Sequence, residues 1–346
     1  MKEIVAKRIR SARVMAGLSL RQLSIKMENT VSYNAIAKYE KAEMMPDRKV
    51  LLALSDALQV KPDYFFQPYS VTVQNIAFRK SQKLGAKKAI ILKEEITEYL
   101  SRYLEVEQLL NIETAFNNPV KNLIIRSGED VEHAVTILRK DWKIGVYAIP
   151  NVAETLENNE IKVIEADAPG GFDGLSGWAD HTIPLIVINK HLENEQKRST
   201  ALYELGHALL HFDSTLSEKE KEKLHKRFAR AFLIPRETFY AAIGRKRTCI
   251  SLPELKIMRE SYGILIQEIM ARARDLDVIS ETCYLSFCRQ LSKNKSEKDP
   301  GQFIGNEGSD RFKLLVYRSD SEGIISMNKA ANLWDQESGE FWVGGK

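Results

Sequence analysis

The sequence predicts an α+β fold that is mainly helical. Apolar residues recur at helical spacing over most of the chain, and Ser and Asp residues stand where helices are expected to begin. Apolar runs of strand length lie within residues 161–189. Because 346 residues are too many for one ordinary hydrophobic core, we expect two or three domains.

The composition is that of a globular protein, with 44% apolar and 28% charged residues. No run of about 18 apolar residues occurs, so no transmembrane helix is expected. Residues 1–8 are charged too often for a signal peptide. The three cysteines lack CxxC spacing, which indicates a reducing cytoplasm rather than a disulfide framework.

Positive charge is concentrated near the N-terminus. Residues 1–70 contain 12 Lys and Arg against 7 Asp and Glu, whereas the whole chain has a net charge of only +4. The excess therefore lies entirely in this segment. It favours nucleic acid as a partner, although charge alone also fits a basic surface without one.

Residues 1–70 are predicted to form four helices. Apolar residues at helical spacing precede Gly17, which is expected to end the first helix at a C′ position. Ser19 is the expected N-cap of the second helix, residues 32–41 form the third, and Asp47 caps the fourth. The outer face of the third helix is where a recognition helix places base-reading side chains.

Several short motifs in this segment resemble those of the Xre-type (phage-repressor-like) helix-turn-helix family: Gly17-Leu18-Ser19, Val31-Ser32, Ile36-Ala37-Lys38-Tyr39-Glu40, Pro46 and Pro62-Asp63. The resemblance covers the whole segment and implies double-stranded DNA as the partner. Leu20 departs from it, because many members carry a glutamine there that contacts the DNA backbone. We expect DNA contacts from four residues: Ser32, Tyr33, Asn34 and Lys38.

A long helix is predicted between residues 87 and 110. Its apolar residues step by 4, 3, 4, 3 and 4 positions along Leu92, Ile96, Tyr99, Tyr103, Val106 and Leu110. This stripe is either the seam of a homodimer, which suits binding to paired half-sites, or a face that packs on its own domain. About three heptads is near the minimum for a coiled coil, which favours packing within the chain.

Residues 161–235 are predicted to contain three strands and two helices. The strands are expected at 161–165, 172–178 and 183–189, and the first helix at 194–211. The second helix starts at the N-cap Ser217 and ends near Pro235. An edge of this sheet could accept a peptide as an added strand.

The first of these helices contains Tyr203-Glu204-Leu205-Gly206-His207, one residue away from the zinc-hydrolase motif H-E-x-x-H. In that motif two histidines bind the metal, and the glutamate is the general base for the metal-bound water. Glu204 matches the base and His207 the second ligand, whereas Tyr203 replaces the first histidine. Glu222 is the candidate third ligand. Tyrosine is an inferior ligand, because its phenol must lose a proton with a reference pKa of ~10.

Two further histidines lie near this motif. His211 stands four residues after His207 and could share its helix face, and His225 stands three residues after Glu222 and could reach the site. We expect a structural role for His211 and a surface position for His225.

Four blocks, at residues 172–178, 186–189, 198–211 and 228–235, resemble the ImmA/IrrE-type metallopeptidase family. The resemblance extends over residues 255–291 and 311–331. It implies a zincin-like domain with a small sheet, zinc as cofactor and, in a fusion of this kind, a transcriptional regulator. Many members place the third ligand four residues before the Phe-Ala pair, which is Leu224 here.

Three functions follow from these features. In the first, the chain is a sequence-specific DNA-binding regulator whose peptidase-like domain is degenerate and acts as a sensor or partner-binding module. Two protein ligands bind zinc poorly compared with three or four, and this favours the first function. In the second, the domain is an active zinc-dependent, site-specific peptidase that cleaves a repressor. In the third, the chain is an antitoxin-like or defence-associated repressor with a toxin as its protein partner.

We expect a cytoplasmic protein. Its chain is expected to divide into four segments. Residues 1–70 form an N-terminal all-α helix-turn-helix domain, and residues 71–120 form a linker and long helix. Residues 121–250 form the zincin-like metallopeptidase domain, and residues 251–346 form a helical C-terminal region.

Overall fold

The computed structural model describes residues 1–67, 73–77, 85–113, 115–168, 171–293 and 301–334, with the backbone alone for 73–77 and 291–293. The chain divides into two compact units. The first comprises Met1–Val73, Lys83–Glu113 and Phe312–Lys346, and the second comprises Gln74–Gln82 and Thr114–Arg311.

Helices dominate both units. They are α1 (Lys2–Met15), α2 (Leu20–Lys26), α3 (Tyr33–Glu40), α4 (Arg48–Leu58), α5 (Ala86–Leu109), α6 (Gly128–Asp141), α7 (Val152–Glu157), α8 (Asn194–Leu209), α9 (Glu218–Leu233), α10 (Arg236–Ile243), α11 (Leu252–Tyr262), α12 (Ile266–Asp275), α13 (Glu281–Lys293), α14 (Arg311–Ser321) and α15 (Met327–Trp334). A 3-10 helix, Pro62–Phe66, follows α4. The strands are β1 (Val73–Ala77), β2 (Ile124–Ile125), β3 (Lys162–Ala166), β4 (Gly174–Ala179), β5 (Ile183–Asn189) and β6 (His211–Phe212). This content confirms the predicted α+β, mainly helical class.

The first four helices begin and end where local sequence signals place them. Gly17 follows α1 with a φ of +66°, a conformation that costs glycine little. Ser19 and Gln22 form a capping box at the start of α2, and Asp47 accepts a 2.8 Å hydrogen bond from the Val50 amide at the start of α4. The buried side chains of these helices form one core, which includes Val5, Ile9, Leu23, Ile36, Leu54 and Phe65.

The apolar stripe of α5 is covered by its own chain. Leu92, Ile96, Tyr103 and Val106 are buried, and the Tyr103 ring stacks on Phe312 of α14 with centroids 5.0 Å apart. The residues that the pattern offered as a dimer seam therefore belong to the core of the first unit. This burial supports the alternative in which the helix packs within the chain.

A buried ion pair joins α1 to α5. The Arg8 guanidinium donates a hydrogen bond to Glu98, and its Nε donates to the Gln67 carbonyl oxygen at 2.7 Å. Both charged side chains are almost fully withdrawn from water, with exposures of 2% and 9%. Buried charges of this kind are tolerated only while they remain paired.

The second unit is built around a four-stranded sheet with the strand order β1-β4-β5-β3. β3 runs parallel to β5, and β4 runs antiparallel to it. Helix α8 packs on β4 and β5, and α9 packs on α6, α8 and α12. A separate parallel pair joins β2 to β6. The sheet and α9 therefore enclose α8, the helix that carries the incomplete zinc motif.

Helices α5, α14 and α15 are grouped with the first four helices, although the predicted segments separated them. The segment boundaries at 71, 121 and 251 remain predictions, and part of the linker segment lies outside the described residues. Within the described ranges, no helix combines the length and apolar character needed to span a bilayer.

Candidate functional site

Helix α3 presents a polar face outward and an apolar face inward. Ser32 is its N-cap, and the Ser32 Oγ accepts a 3.2 Å hydrogen bond from the Ala35 amide. Ile36 and Tyr39 are buried at 0% and 5% exposure. Burial and the nearby charge of Asp47 raise the pKa of the Tyr39 phenol, so this residue is a neutral member of the core.

The predicted DNA contacts lie on the outer face of α3. Tyr33, Asn34 and Lys38 are all exposed, as is the N-cap Ser32. The guanidinium of Arg21, on α2, lies 5.2 Å from the centroid of the Tyr33 ring. Sequence reasoning did not single out Arg21, because the pairing of α2 with α3 becomes visible only in the fold.

Close packing of α8 against α9 creates the second candidate site. A Cβ atom on Gly206 would lie 3.1 Å from the Nδ1 atom of His225 and 3.2 Å from Cδ1 of Phe228. A side chain at this position would require the His225 or Phe228 ring to shift by a few tenths of an ångström. Gly206 therefore sets the distance across which side chains of the two helices meet.

Tyr203 and Glu222 contact each other directly. The Tyr203 hydroxyl donates a hydrogen bond to Oε2 of Glu222, linking α8 to α9. Tyr203 is 5% exposed, whereas Glu222 is partly exposed and also forms an ion pair with Lys226 at 3.2 Å. Two of the three predicted metal ligands are thus joined as hydrogen-bond donor and acceptor.

The third predicted ligand, His207, belongs to a cluster of rings. The His207 and His225 rings stack with centroids 3.6 Å apart, and the Tyr203 ring lies 4.8 Å from His207. Phe212 meets His225 edge to face at 4.7 Å. His225 is buried at 5% exposure, so the expected surface position was wrong. His225 lies in a charged run whose lysines face solvent, and this run led to the expectation of a surface position. The side chain of His225 itself lies on the inward face of α9.

Glu204 faces the sheet. It is 1% exposed, and its Oε2 atom accepts a 3.2 Å hydrogen bond from the Ser176 hydroxyl on β4. Ser176 was not singled out from the sequence, although it lies within the block at 172–178. The predicted general base is therefore held between α8 and β4.

Buried charges hold α9 in this position. Arg227 of α9 donates to Oε1 of Glu132 at 3.1 Å, and Arg272 of α12 donates to Oε2 at 2.7 Å. Burial opposes ionisation of Glu132, but hydrogen bonding to Arg272 and the charges of both arginines outweigh it and lower the pKa of Glu132. Glu132 of α6 thus remains charged, and its hydrogen bonds to Arg227 and Arg272 join α6 to α9 and α12.

The alternative pairing of His207 with His211 does not form. Helix α8 ends at Leu209, and Leu210 is extended with φ −86° and ψ 135°. His211 instead pairs with Ile124 as the first residue of β6, and its side chain is exposed. The helix predicted over 194–211 is therefore two residues too long, and the two histidines share no helix face.

These side chains do not fit the zinc ion that the sequence motif suggests. In the part of the chain that the structure describes, no three His, Cys, Asp or Glu side chains are grouped so that they could hold a metal. Glu222 accepts a hydrogen bond from the Tyr203 hydroxyl, and the His207 ring is stacked face to face on the His225 ring. The alternative third position is Leu224, whose apolar side chain packs against the core.

Family comparisons agree with both halves of this architecture. The family model described as Helix-turn-helix matches residues 9–65, and the one described as IrrE N-terminal-like domain matches residues 156–273. Neither a curated protein nor a solved structure matches the chain. The chain is a DNA-binding regulator with a peptidase-like domain, in which an Xre-type helix-turn-helix domain is fused to a domain of the ImmA/IrrE metallopeptidase family.

Proposed function

We propose that this protein is a sequence-specific transcriptional regulator of the cytoplasm whose IrrE-like domain senses or binds a partner and does not cut peptides. The observation that carries the second half is the hydrogen bond from Tyr203 to Glu222 at the position expected for a metal. The first half rests on the exposed face of α3 in a basic domain.

DNA recognition is assigned to Ser32, Tyr33, Asn34 and Lys38. A helix N-terminus capped by an exposed serine suits a phosphate, and the phenol of Tyr33 and the amide of Asn34 in the first turn suit base edges. Lys38 supplies positive charge one turn further along. Arg21, which lies over the Tyr33 ring, adds a second cation beside the first residue of α3. Arg21 suits a contact to the DNA backbone, and the Tyr33 ring suits an aromatic contact to a base.

The DNA experiment is a selection from a random duplex library, followed by salt titration of the selected sequence. Asn34→Ala should relax preference at one position and cost about 1–3 kcal/mol, because an amide that reads a base edge is lost. Lys38→Ala should weaken binding uniformly and reduce the salt slope by about 1. Lys140→Ala is the matched control, since Lys140 is exposed on α6 in the other unit. Unchanged affinity and preference in a Tyr33→Ala, Asn34→Ala, Lys38→Ala triple variant would refute the assignment.

A non-catalytic IrrE-like domain is supported by the chemistry of its side chains. Zinc hydrolases need three protein ligands and an open position for water. Here one ligand position carries a phenol, the alternative third position carries Leu224, and His225 fills space beside His207. Glu204, bonded to Ser176, retains the position of a general base without the metal that would activate water.

Metal analysis of the purified full-length chain tests this proposal. We expect well under one zinc per chain, both as purified and after incubation with excess zinc chloride followed by desalting. Stoichiometric zinc that is lost in Glu222→Ala would overturn the proposal and favour the peptidase. In cells, new protein N-termini should not differ between the wild type and Glu204→Gln. A cleavage product found only with the wild type would identify a substrate and contradict us.

A further inference from the structure

A pocket of about 360 Å³ lies within the first unit. Its walls come from four parts of the chain: the end of α1, the segment that follows α4, the middle of α5 and helix α15. Pockets that hold small molecules span about 300–1,000 Å³, so this one has room for a small ligand. None of the described residues that line it belongs to the DNA-contacting helix α3.

Two cations line this pocket and have more N–H donors than protein acceptors. The Lys61 ammonium donates a 2.6 Å hydrogen bond to Oδ1 of Asn332. Nη1 of Arg102 donates to the Leu333 carbonyl oxygen at 3.1 Å. Among the described residues, no acceptor lies within hydrogen-bonding distance of the buried Nε of Arg102, and Oε1 of Glu98 is 3.8 Å from it. A carboxylate that enters the pocket would supply the missing acceptors.

Two carboxylates also line the pocket, and their surroundings differ. Glu98 is withdrawn from water and accepts a hydrogen bond from the Arg8 guanidinium, so its charge is already offset. Glu95 precedes it by one turn of α5 and is exposed. A carboxylate accepts several hydrogen bonds at once. Glu95 therefore gives the pocket a negative charge that suits an ammonium group.

The spacing along α5 separates these two kinds of charge. Glu95 and Arg102 stand two helical turns apart on one face, so their Cα atoms are about 10 Å apart along the axis. Met15, Val60 and Tyr64 add apolar surface to the same pocket. A ligand that meets both charges and the apolar surface is therefore elongated, with a carboxylate at one end and an ammonium group at the other.

We propose that this pocket binds a small zwitterion, an amino acid whose ammonium and carboxylate groups are separated by a short alkyl chain. The carboxylate pairs with Arg102 and Lys61, the ammonium group pairs with Glu95, and the alkyl chain lies on the apolar surface. The bound molecule joins α1 and the segment after α4 to α5 and α15. This site lies outside the IrrE-like domain, so the inference goes beyond the proposed function and does not depend on it.

The probe is 6-aminohexanoate, and its binding to the full chain is measured by isothermal titration calorimetry. Hexanoate lacks the ammonium group, and hexylamine lacks the carboxylate. Each should bind at least about tenfold more weakly than 6-aminohexanoate, because one charge-assisted contact is lost. The comparison separates recognition of both charges from binding of an alkyl chain alone.

Three variants assign the contacts. Arg102→Gln should weaken binding of 6-aminohexanoate about tenfold and remove most of its advantage over hexylamine. Glu95→Gln should remove most of its advantage over hexanoate. Val60→Phe fills the pocket, keeps every charged group and should abolish binding. Lys88→Gln is the matched control, since Lys88 is exposed on α5 and does not line the pocket. Thermal unfolding of each variant checks that it is folded.

Three results would overturn the inference. The first is the absence of binding to the wild type at millimolar 6-aminohexanoate. The second is binding that Arg102→Gln and Val60→Phe leave unchanged, which would place the probe elsewhere. The third is equal binding of hexanoate and 6-aminohexanoate, which would exclude recognition of the ammonium group. None of these results bears on zinc content or on cellular N-termini, so the proposed function would stand.

Discussion

The hydrogen bond between Tyr203 and Glu222 leads to a quantitative prediction for Tyr203→Phe. The change removes the hydroxyl but keeps the ring, so the contacts with His207 and His225 persist and no cavity forms. A hydrogen bond to a charged acceptor contributes about 1.5–3 kcal/mol. Glu222 is partly exposed and keeps Lys226 as a partner, so the loss should lie at or somewhat below the low end of this range, about 1–2 kcal/mol.

This loss converts into a modest change in melting temperature. For a unit of roughly 200 residues, each kcal/mol corresponds to about 2–4 °C, so Tyr203→Phe should lower the Tm by roughly 2–8 °C. Tyr203→Ala also removes a ring that is 5% exposed, and truncation of a buried aromatic side chain costs about 3–5 kcal/mol. The two variants should therefore differ clearly.

The assay is thermal unfolding of the full chain with and without EDTA. The wild type and Tyr203→Phe should each melt at the same temperature in both buffers, because a hydrogen bond rather than a metal joins α8 to α9. Glu222→Met and the double variant complete a mutant cycle, whose coupling free energy should be at least about 1 kcal/mol. Lys226→Met is the matched control and should cost less than about 1 kcal/mol, since its ion pair is exposed.

Two results would refute the reasoning. If EDTA lowers the Tm of the wild type, a metal contributes to the stability of this unit. If the mutant cycle gives no coupling, the contact between Tyr203 and Glu222 does not stabilise the folded state. The first result returns the site to the peptidase alternative, and the second removes the hydrogen bond as support for the proposed function.

Three further predictions concern other parts of the chain. Asp47→Ala removes the N-cap of α4 and should lower the free energy of unfolding by about 1 kcal/mol in urea titrations. Glu98→Leu removes the carboxylate that pairs with the buried charge of Arg8 and should cost about 3–5 kcal/mol, while adding Arg8→Met should recover part of that loss in the same assay. Burial raises the pKa of Glu157 above its ordinary value of 4.5, so the folded chain binds this proton more tightly than the unfolded chain. As the pH falls from 7 towards 4.5, the Tm of the wild type should therefore rise relative to that of Glu157→Gln.

Local signals were sufficient to predict several helix starts and one buried strand. Ser19, Ser32, Asp47 and Ser217 all accept hydrogen bonds from amides of the helices they cap. The strand predicted at residues 183–189 is β5. Such features depend on side chain to backbone contacts within one turn and on burial patterns that repeat along a single element.

The open alternatives and the wrong predictions lie where a position depends on a second element. The apolar stripe of α5 had two acceptable partners, and only the fold identifies α14 and α15 as the helices that cover it. His225 seemed to be a surface residue because its neighbours are charged, yet α9 turns it towards His207. The end of α8 was placed too late, since the pairing of β6 with β2 draws His211 out of the helix.

The sequence by itself determined the two families, the mainly helical class, the outer face of α3 and the departure at Tyr203 from a zinc motif. These are properties of residue type and spacing, which are readable along one element. Only the tertiary structure decided that Tyr203 bonds Glu222, that His225 stacks on His207 and that β1 fills the edge of β4. The physical reason is that each of these contacts joins two different elements, and a periodic pattern specifies which face is buried but not which surface buries it.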